Sequence, residues 1–391
     1  MKITGIICEY NPFHNGHLYQ INKAKEHGSD YIIAVMSGNW MQRGTPAIID
    51  KHTRAKMALE CGVDLVLELP TVFSTSSALD FALGGVSLLG ELGCVNELCF
   101  GVESDSKSLL KVTETLTANK GSIDNKILAL KKDGYSYPKA RQIALLDYLD
   151  EESMEFISKP NTILAIEYIN AIKQLGYTNL TPYPVLRKGS GYNEDTLNSE
   201  FLSSATAIRN GIANNSDISS HVPPLVAAML ENITPIEAND FSKELIYKLN
   251  LKSNTGFTDY LDVSSELSDK IIKYLNSFKS FSQFCELLKS KDLTYTHISR
   301  ALTHILLEIK KMDIPDNKIA SYARVLGFRK GSESLFGIIK SNTGIPLVTK
   351  LADTECDLST DLLASKVYYS ALAQKSHSQI INEFTQQIII V

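Results

Sequence analysis

The chain is expected to fold as α/β, with a Rossmann-like domain built on a parallel, doubly wound sheet and a mostly helical C-terminal domain. Two patterns predict this. Over roughly the first hundred residues, short apolar runs alternate with helix-length segments, the rhythm of βαβ units with right-handed crossovers. Beyond His221-Val222-Pro223-Pro224 the alternation stops and helical patterning takes over.

The first strand is the run over 3–8, where Ile3, Ile6, Ile7 and Cys8 suit burial on both faces. Asn-Pro begins turns and Pro12 cannot continue a strand, so Tyr10-Asn11-Pro12-Phe13 leads into a helix over 17–27. A strand over 31–36 stops at Ser37-Gly38-Asn39, a helix covers 51–61, and a strand over 65–69 is ended by Pro70. A helix over 76–92 and a strand from 95 that closes in Phe100-Gly101-Val102-Glu103 follow. The polar stretch 105–160 reads as a helical insertion, after which a helix over 161–175 and a strand over 180–187 resume the pattern. Gly189-Ser190-Gly191-Tyr192 makes a loop, and the hydroxyls of Ser203-Ser204-Ala205-Thr206-Ala207-Ile208-Arg209 cap the next helix. Helical patterning then runs to about 336, with short β-rich pieces at 345–348 and 388–391. The expected division is a catalytic domain over 1–220, carrying the insertion at 105–160, and a second domain over 221–391.

Composition narrows the function. The 391 residues are 44% apolar and 21% charged, ordinary for a globular enzyme with a large core. A net charge of -5 argues against a protein that coats nucleic acid indiscriminately, but leaves room for a local basic face. Six cysteines without CxxC spacing read as buried, reduced thiols. No apolar segment is long enough to span a membrane and no leader pattern precedes the first strand, so a cytoplasmic protein with no membrane partner is expected.

Chemistry concentrates after the first strand. His14-Asn15-Gly16-His17 places two imidazoles where a strand gives way to a helix N-terminus, whose free N–H groups and dipole favour an anion. Gly16 allows a nucleotide to lie close to the backbone, and the histidines can donate to phosphate oxygens. In isolation such a pair is more often a polar turn or an incidental metal site; its place after the first strand of an open sheet favours phosphate. An HxGH turn in this place resembles the phosphate motif of the nucleotidyltransferase and class I aminoacyl-tRNA synthetase superfamily. The loop Gly38-Asn39-Trp40-Met41-Gln42-Arg43-Gly44 leaves the second strand beside it, where Trp40 either anchors the core or stacks on a base, and Arg43 suits phosphate or nucleic acid. Lys51, His52 and Arg54 oppose the dipole of the next helix, so they are either solvated or compensated by an anion. Gly101 permits close approach of a base or ribose, and Asn161 either caps its helix or reads an adenine edge. Arg187 can reach a triphosphate, and Ser204 and Arg209 frame a second helix N-terminus for the outer phosphates.

Together, Ile7-Cys8-Glu9-Tyr10-Asn11-Pro12-Phe13-His14-Asn15-Gly16-His17, the loop continuing to Gly44-Thr45-Pro46, and Ser203 to Arg209 closely resemble the tRNA(Met) cytidine acetate ligase family. Tyr322-Ala323-Arg324-Val325-Leu326-Gly327-Phe328 matches in general character. The resemblance implies an ATP-dependent ligase acting on elongator tRNA(Met). Acetate becomes acetyl-AMP with release of pyrophosphate, and the acetyl group passes to N4 of the wobble cytidine. It implies ATP contacts from Ile7 through His17 into Leu18-Tyr19-Gln20, with Gly101, Asn161, Arg187, Ser204 and Arg209, and catalytic work for His14, His17 and Arg43. The fold implied is a Rossmann-like nucleotidyltransferase domain; Mg2+ would accompany the ATP, no protein metal site is expected, and no DNA partner. For tRNA, residues 289–330 carry nine Lys or Arg against four Asp or Glu, and Arg324, Arg329 and Lys330 are the candidate backbone contacts; a solvated helix face is the bland alternative. Two rivals stay open at this point: a small-molecule adenylyltransferase of the HxGH class, and a nucleotide-sensing RNA-binding protein.

Overall fold

Alternate residues of the N-terminal strands bury on opposite sides, so the sheet they build needs a core on each face. The computed structural model describes residues 1–103, 105–135, 137–187 and 203–391. Its strands are β1 (Ile3–Cys8), β2 (Tyr31–Ser37), a short hairpin of β3 (Trp40–Met41) and β4 (Thr45–Pro46), β5 (Leu65–Leu69), β6 (Glu97–Val102), β7 (Thr181–Leu186), β8 (Ala323–Phe328), β9 (Leu347–Val348) and β10 (Ile389–Ile390). Ile3, Ile7, Ile33 and Val35 face the core shared with helices Ala78–Glu91 and Pro160–Leu175, whereas Ile6, Ile32, Ala34 and Met36 face helices Asn15–Glu26 and Lys51–Glu60.

The main sheet runs β10-β8-β5-β2-β1-β6-β7, with β9 pairing β8. From β5 to β7 the strands are parallel, and the chain changes its direction of growth between β1 and β6. That switch point opens a crevice at the carboxyl ends of β1 and β6, the place where open α/β sheets bind ligands. The insertion is helical as expected, formed by Ser106–Ala118, Lys120–Lys132, Tyr137–Leu145 and Glu151–Phe156. The expected loop at Gly189-Ser190-Gly191-Tyr192 lies outside the described residues.

The C-terminal part is mostly helical, and β9 and β10 fall on the β-rich pieces expected at 345–348 and 388–391. One strand departs from expectation: β8 lies in the main sheet antiparallel to β5, with Leu65 opposite Phe328 and Glu68 opposite Arg324. The boundary at 220 therefore does not divide the sheet. Helical patterning was expected to run through Ala323–Phe328, but Ala323 and Val325 enter one core and Leu326 the other, the period of a strand.

Buried charge joins the two parts. Lys51 Nζ lies 2.8 Å from Glu68, 3.1 Å from Glu383 and 2.9 Å from the Ser365 hydroxyl, and Arg324 lies 3.0 Å from Glu68 and also pairs with Glu383. Burial alone would raise the Glu383 carboxyl's pKa; Lys51, His52 and Arg324 outweigh it and hold it far below the usual range. Lys51 is thus neither solvated nor waiting for a substrate anion. Its partners lie in β5 and near the C-terminus.

Helix Tyr295–Leu306 grips the loop between β3 and β4: Ser299 and Thr303 hydroxyls donate to the Gly44 carbonyl at 2.7 and 2.8 Å. Gly44 sits at φ +69°, and a Cβ there would stand 2.3 Å from the Arg300 backbone nitrogen. Gly44→Ala should therefore cost about 2–4 kcal/mol, from left-handed backbone strain and overpacking together. Urea unfolding measures it; a loss under about 0.5 kcal/mol would show that the loop is not clamped.

Candidate active site

His14 caps helix Asn15–Glu26 in extended backbone, and its Nδ1 accepts the Gly16 N–H at 3.0 Å. His17 Nδ1 in turn accepts the His14 N–H at 3.2 Å. A neutral imidazole that accepts at Nδ1 carries its proton on Nε2. Both rings, stacked with centroids 3.6 Å apart, are thereby fixed as Nε2–H donors. Burial, then the charges of Arg187 and Arg209, lowers the pKa of His14 to about 3. Burial, then His14 and Arg187, holds His17 well below the usual histidine value. The pair therefore offers hydrogen bonds without charge, and the arginines supply the charge.

A cavity of about 190 Å3 opens onto this turn at the switch point. Ile7, Cys8, Glu9, Tyr10, Asn11, His14, His17, Gln20, Arg43, Gly101, Asn161, Arg187, Ser204 and Arg209 all line it. Arg209 is aimed by donating to the Asn11 carbonyl at 2.8 Å and to the Thr206 hydroxyl at 3.0 Å. Ser204 caps helix Ala205–Ala213, its hydroxyl accepting the Ala207 N–H at 3.0 Å, so that helix N-terminus also borders the cavity. A Cβ at Gly101 would approach the Arg187 Cγ to 3.2 Å, so glycine there makes room for that arginine. The exposed Arg43 stands at the rim, and the Gln42 N–H donates to Glu9 at 2.7 Å behind it.

The other members of the expected Ile7–Gln20 contact segment do not line this cavity. Phe13 is fully buried against Tyr10 and His17, Leu18 and Tyr19 pack on the core, and Asn15 donates to the Ser220 carbonyl at 2.9 Å. Pro12 and Gly16 shape the turn, Gly16 through the N–H that fixes His14. Asn161 is not a cap, because Lys159 holds that position and Pro160 opens the helix. Leu164 and Tyr168 join the cavity unannounced; their spacing of three and seven residues from Asn161 was the available signal, since it shares one helix face. Phe81, Phe100 and Thr45 carried no signal of their own.

The comparisons with known proteins agree with this geometry. Residues 1–383 match the family model described as HIGH Nucleotidyl Transferase. The chain is 36% identical to the tRNA(Met) cytidine acetate ligase of Thermosipho melanesiensis over 422 residues, 100% of this chain and 99% of that protein. To the enzyme of the same name from Clostridium tetani it is 39% identical over 385 residues, 94% and 95% of the two chains. The chain belongs to the tRNA(Met) cytidine acetate ligase family. Its fold superposes on crystal structures of Thermotoga maritima TmcAL, each covering 100% of both chains: the apo form at TM-score 0.91 and 31% identity, and the form bound with alpha-thio ATP at TM-score 0.89 and 30% identity.

Within this family fold, several expected contacts prove structural. Trp40 is buried, donates to the Ala364 carbonyl at 2.9 Å and packs on Phe241, so it anchors the core and offers no stacking face. Arg54 is fully buried on backbone carbonyls, neither solvated nor paired with a bound anion. Arg324, expected to meet tRNA, is 4% exposed and committed to Glu68 and Glu383. Arg329 pairs with Asp64, and it and the exposed Lys330 follow β8, whose antiparallel course carries them to the end of the sheet opposite the cavity. Among the described residues no helix is long and apolar enough to cross a membrane, and no group of three or more His, Cys, Asp or Glu side chains is clustered to hold a metal.

The histidine assignment is directly measurable. In nucleotide-free protein His14 should stay a neutral Nε2–H tautomer from pH 8 down to 5, because burial lowers its pKa to about 3, and His17, held well below the usual histidine value, should likewise stay neutral at the pH where an ordinary histidine protonates. Long-range 1H–15N NMR reports tautomer and charge; a ring at either position that protonates near 6.5 would contradict it.

Proposed function

We propose that the chain is an ATP-dependent ligase that activates acetate as acetyl-AMP, releases pyrophosphate, and acetylates N4 of the wobble cytidine of elongator tRNA(Met). The observation that carries this reading is the convergence of two neutral Nε2–H donors, Arg187, Arg209 and two helix N-termini on one cavity. The names of its relatives and the superposition on TmcAL bound with alpha-thio ATP support it.

In the first half-reaction an acetate oxygen attacks the α-phosphorus in line, the α–β bridging bond breaks, and pyrophosphate leaves with the electron pair. Such a reaction needs positioning and charge stabilisation more than a protein nucleophile. His14 and His17 donate to phosphate oxygens as charge builds, while Arg187 and Arg209 neutralise the leaving group. Mg2+, where used, would arrive on the triphosphate, since it binds chiefly through phosphate oxygens and retains waters. In the second half-reaction the cytidine amine attacks the acetyl carbonyl, the carbon–oxygen bond to AMP breaks, and the amine gives up one proton. Arg43 at the rim is placed to hold the acyl-phosphate or the incoming base. His17→Ala should cut acetate-dependent pyrophosphate release by about 10²-fold or more, the scale of losing one oxyanion donor. Near-normal release from a folded variant would remove the histidine from the reaction.

For tRNA, Arg329 and Lys330 stay as candidate backbone contacts remote from the reacting base, and Arg324 does not. Replacing both with Ala should flatten the salt dependence of tRNA binding by roughly one unit of log–log slope per lost phosphate contact, leaving pyrophosphate release intact. Filter binding at several salt concentrations tests this; an unchanged slope would assign tRNA recognition to other surfaces, beginning with the rim around Arg43.

A further inference from the structure

We infer that Glu103, which does not itself line the cavity, selects the nucleobase by holding Asn161 in one orientation; the inference rests on the proposed use of ATP. Asn161 lines the cavity and its side-chain Nδ2 donates to Glu103 Oε1, while the hydroxyl of the buried Thr162 donates to the other oxygen, Oε2, at 3.1 Å. Glu103 therefore accepts on both oxygens. A carboxylate has nothing to donate, so the amide edge facing it must be the NH2 edge, and an amide turned the other way would set oxygen against oxygen. The carbonyl Oδ1 is the edge left for the cavity.

This end of the cavity is built for a base. Phe100, Leu164 and Tyr168, the last two on the helix of Asn161, give it apolar walls. The phosphate groups belong against His14, His17 and Arg209, which line the same cavity. An acceptor at the base end matches the 6-amino group of adenine, which donates. The 6-oxo group of guanine accepts and would meet Oδ1 oxygen to oxygen. Glu103 thus acts as a positioning residue: freed from it, the Asn161 amide can rotate by half a turn and offer Nδ2 to guanine.

The test compares ATP with GTP in acetate-dependent pyrophosphate release by the full chain, reading kcat and KM separately. Glu103→Ala should lower kcat/KM for ATP about tenfold, mainly through KM, and shrink the ATP-over-GTP preference by about tenfold, the scale of one hydrogen bond. Asn161→Asp alone puts two carboxylates face to face and should lose ATP use. Adding Glu103→Gln supplies a donor to Asp, leaves an acceptor toward the base, and should bring the preference back to within about threefold of the unaltered protein. These paired changes conserve volume, so they decide the matter even where Glu103→Ala does not fold. A preference untouched by Glu103→Ala, or a pair no better than Asn161→Asp alone, overturns the inference. If the unaltered protein releases no pyrophosphate with acetate, the proposed reaction falls instead, and calorimetric affinities for ATP and GTP in the same variants still decide the role of Glu103.

Discussion

One buried guanidinium holds the mouth of the nucleotide site in shape. Arg54 is fully enclosed and donates to the carbonyls of Glu9 at 2.6 Å, Ser37 at 3.1 Å and Ile49 at 3.0 Å, and also to Gly38. Glu9 follows β1 and Ser37 ends β2, so a single planar fork ties together the two loops that leave the sheet beside the switch point. The ring of carbonyl dipoles, with Asp50 and Glu9 contributing at longer range, meets a charge whose pKa burial lowers. Without it, several buried carbonyls would lose their donor at once, each at a cost of about 1–3 kcal/mol. The HxGH turn and the Arg43 loop keep their spacing because this side chain stands between them.

That clamp is completed from the far end of the sequence. On one side the 38–44 loop is held by Arg54 through Gly38; on the other, Ser299 and Thr303 hold it through Gly44. Trp40 plugs its middle into the core next to Ala364 and Phe241. What projects from a loop fastened at three points is Arg43, exposed at the rim. A loop held at three points keeps the Arg43 side chain at the rim of the cavity without any segment having to order around it.

Patterning revealed the sheet wherever local signals suffice. The strands at 3–8, 31–37 and 65–69, the turn at Asn11-Pro12, and the helices opened by His14 and Ser204 all announce themselves through runs, breakers and capping residues. β8 did not, because a short, mostly apolar run fits either a strand or a buried helix until its partner is known, and that partner, β5, lies over 250 positions earlier. Charges misled for the same reason. Lys51, Arg54 and Arg324 resemble solvated or ligand-binding cations in sequence, yet Glu68, Glu383 and a set of carbonyls satisfy them. Local charge counting cannot register a compensating carboxylate that the fold brings from hundreds of residues away.

The nucleotide site itself was legible because its parts are local. Its anion-binding elements are strand-to-helix transitions, and both the HxGH turn and the Ser204 start are complete within a few consecutive residues. His14 receives its proton arrangement from Gly16 two residues on, and His17 from the backbone of His14 three residues back. The two imidazole donors are thus specified by contiguous sequence, whereas the cations beside them, Arg187 and Arg209, need the sheet to bring them in. A site divided in this way can settle its hydrogen-bond donors as soon as one helix forms, and acquires its charge only when the doubly wound core closes around it.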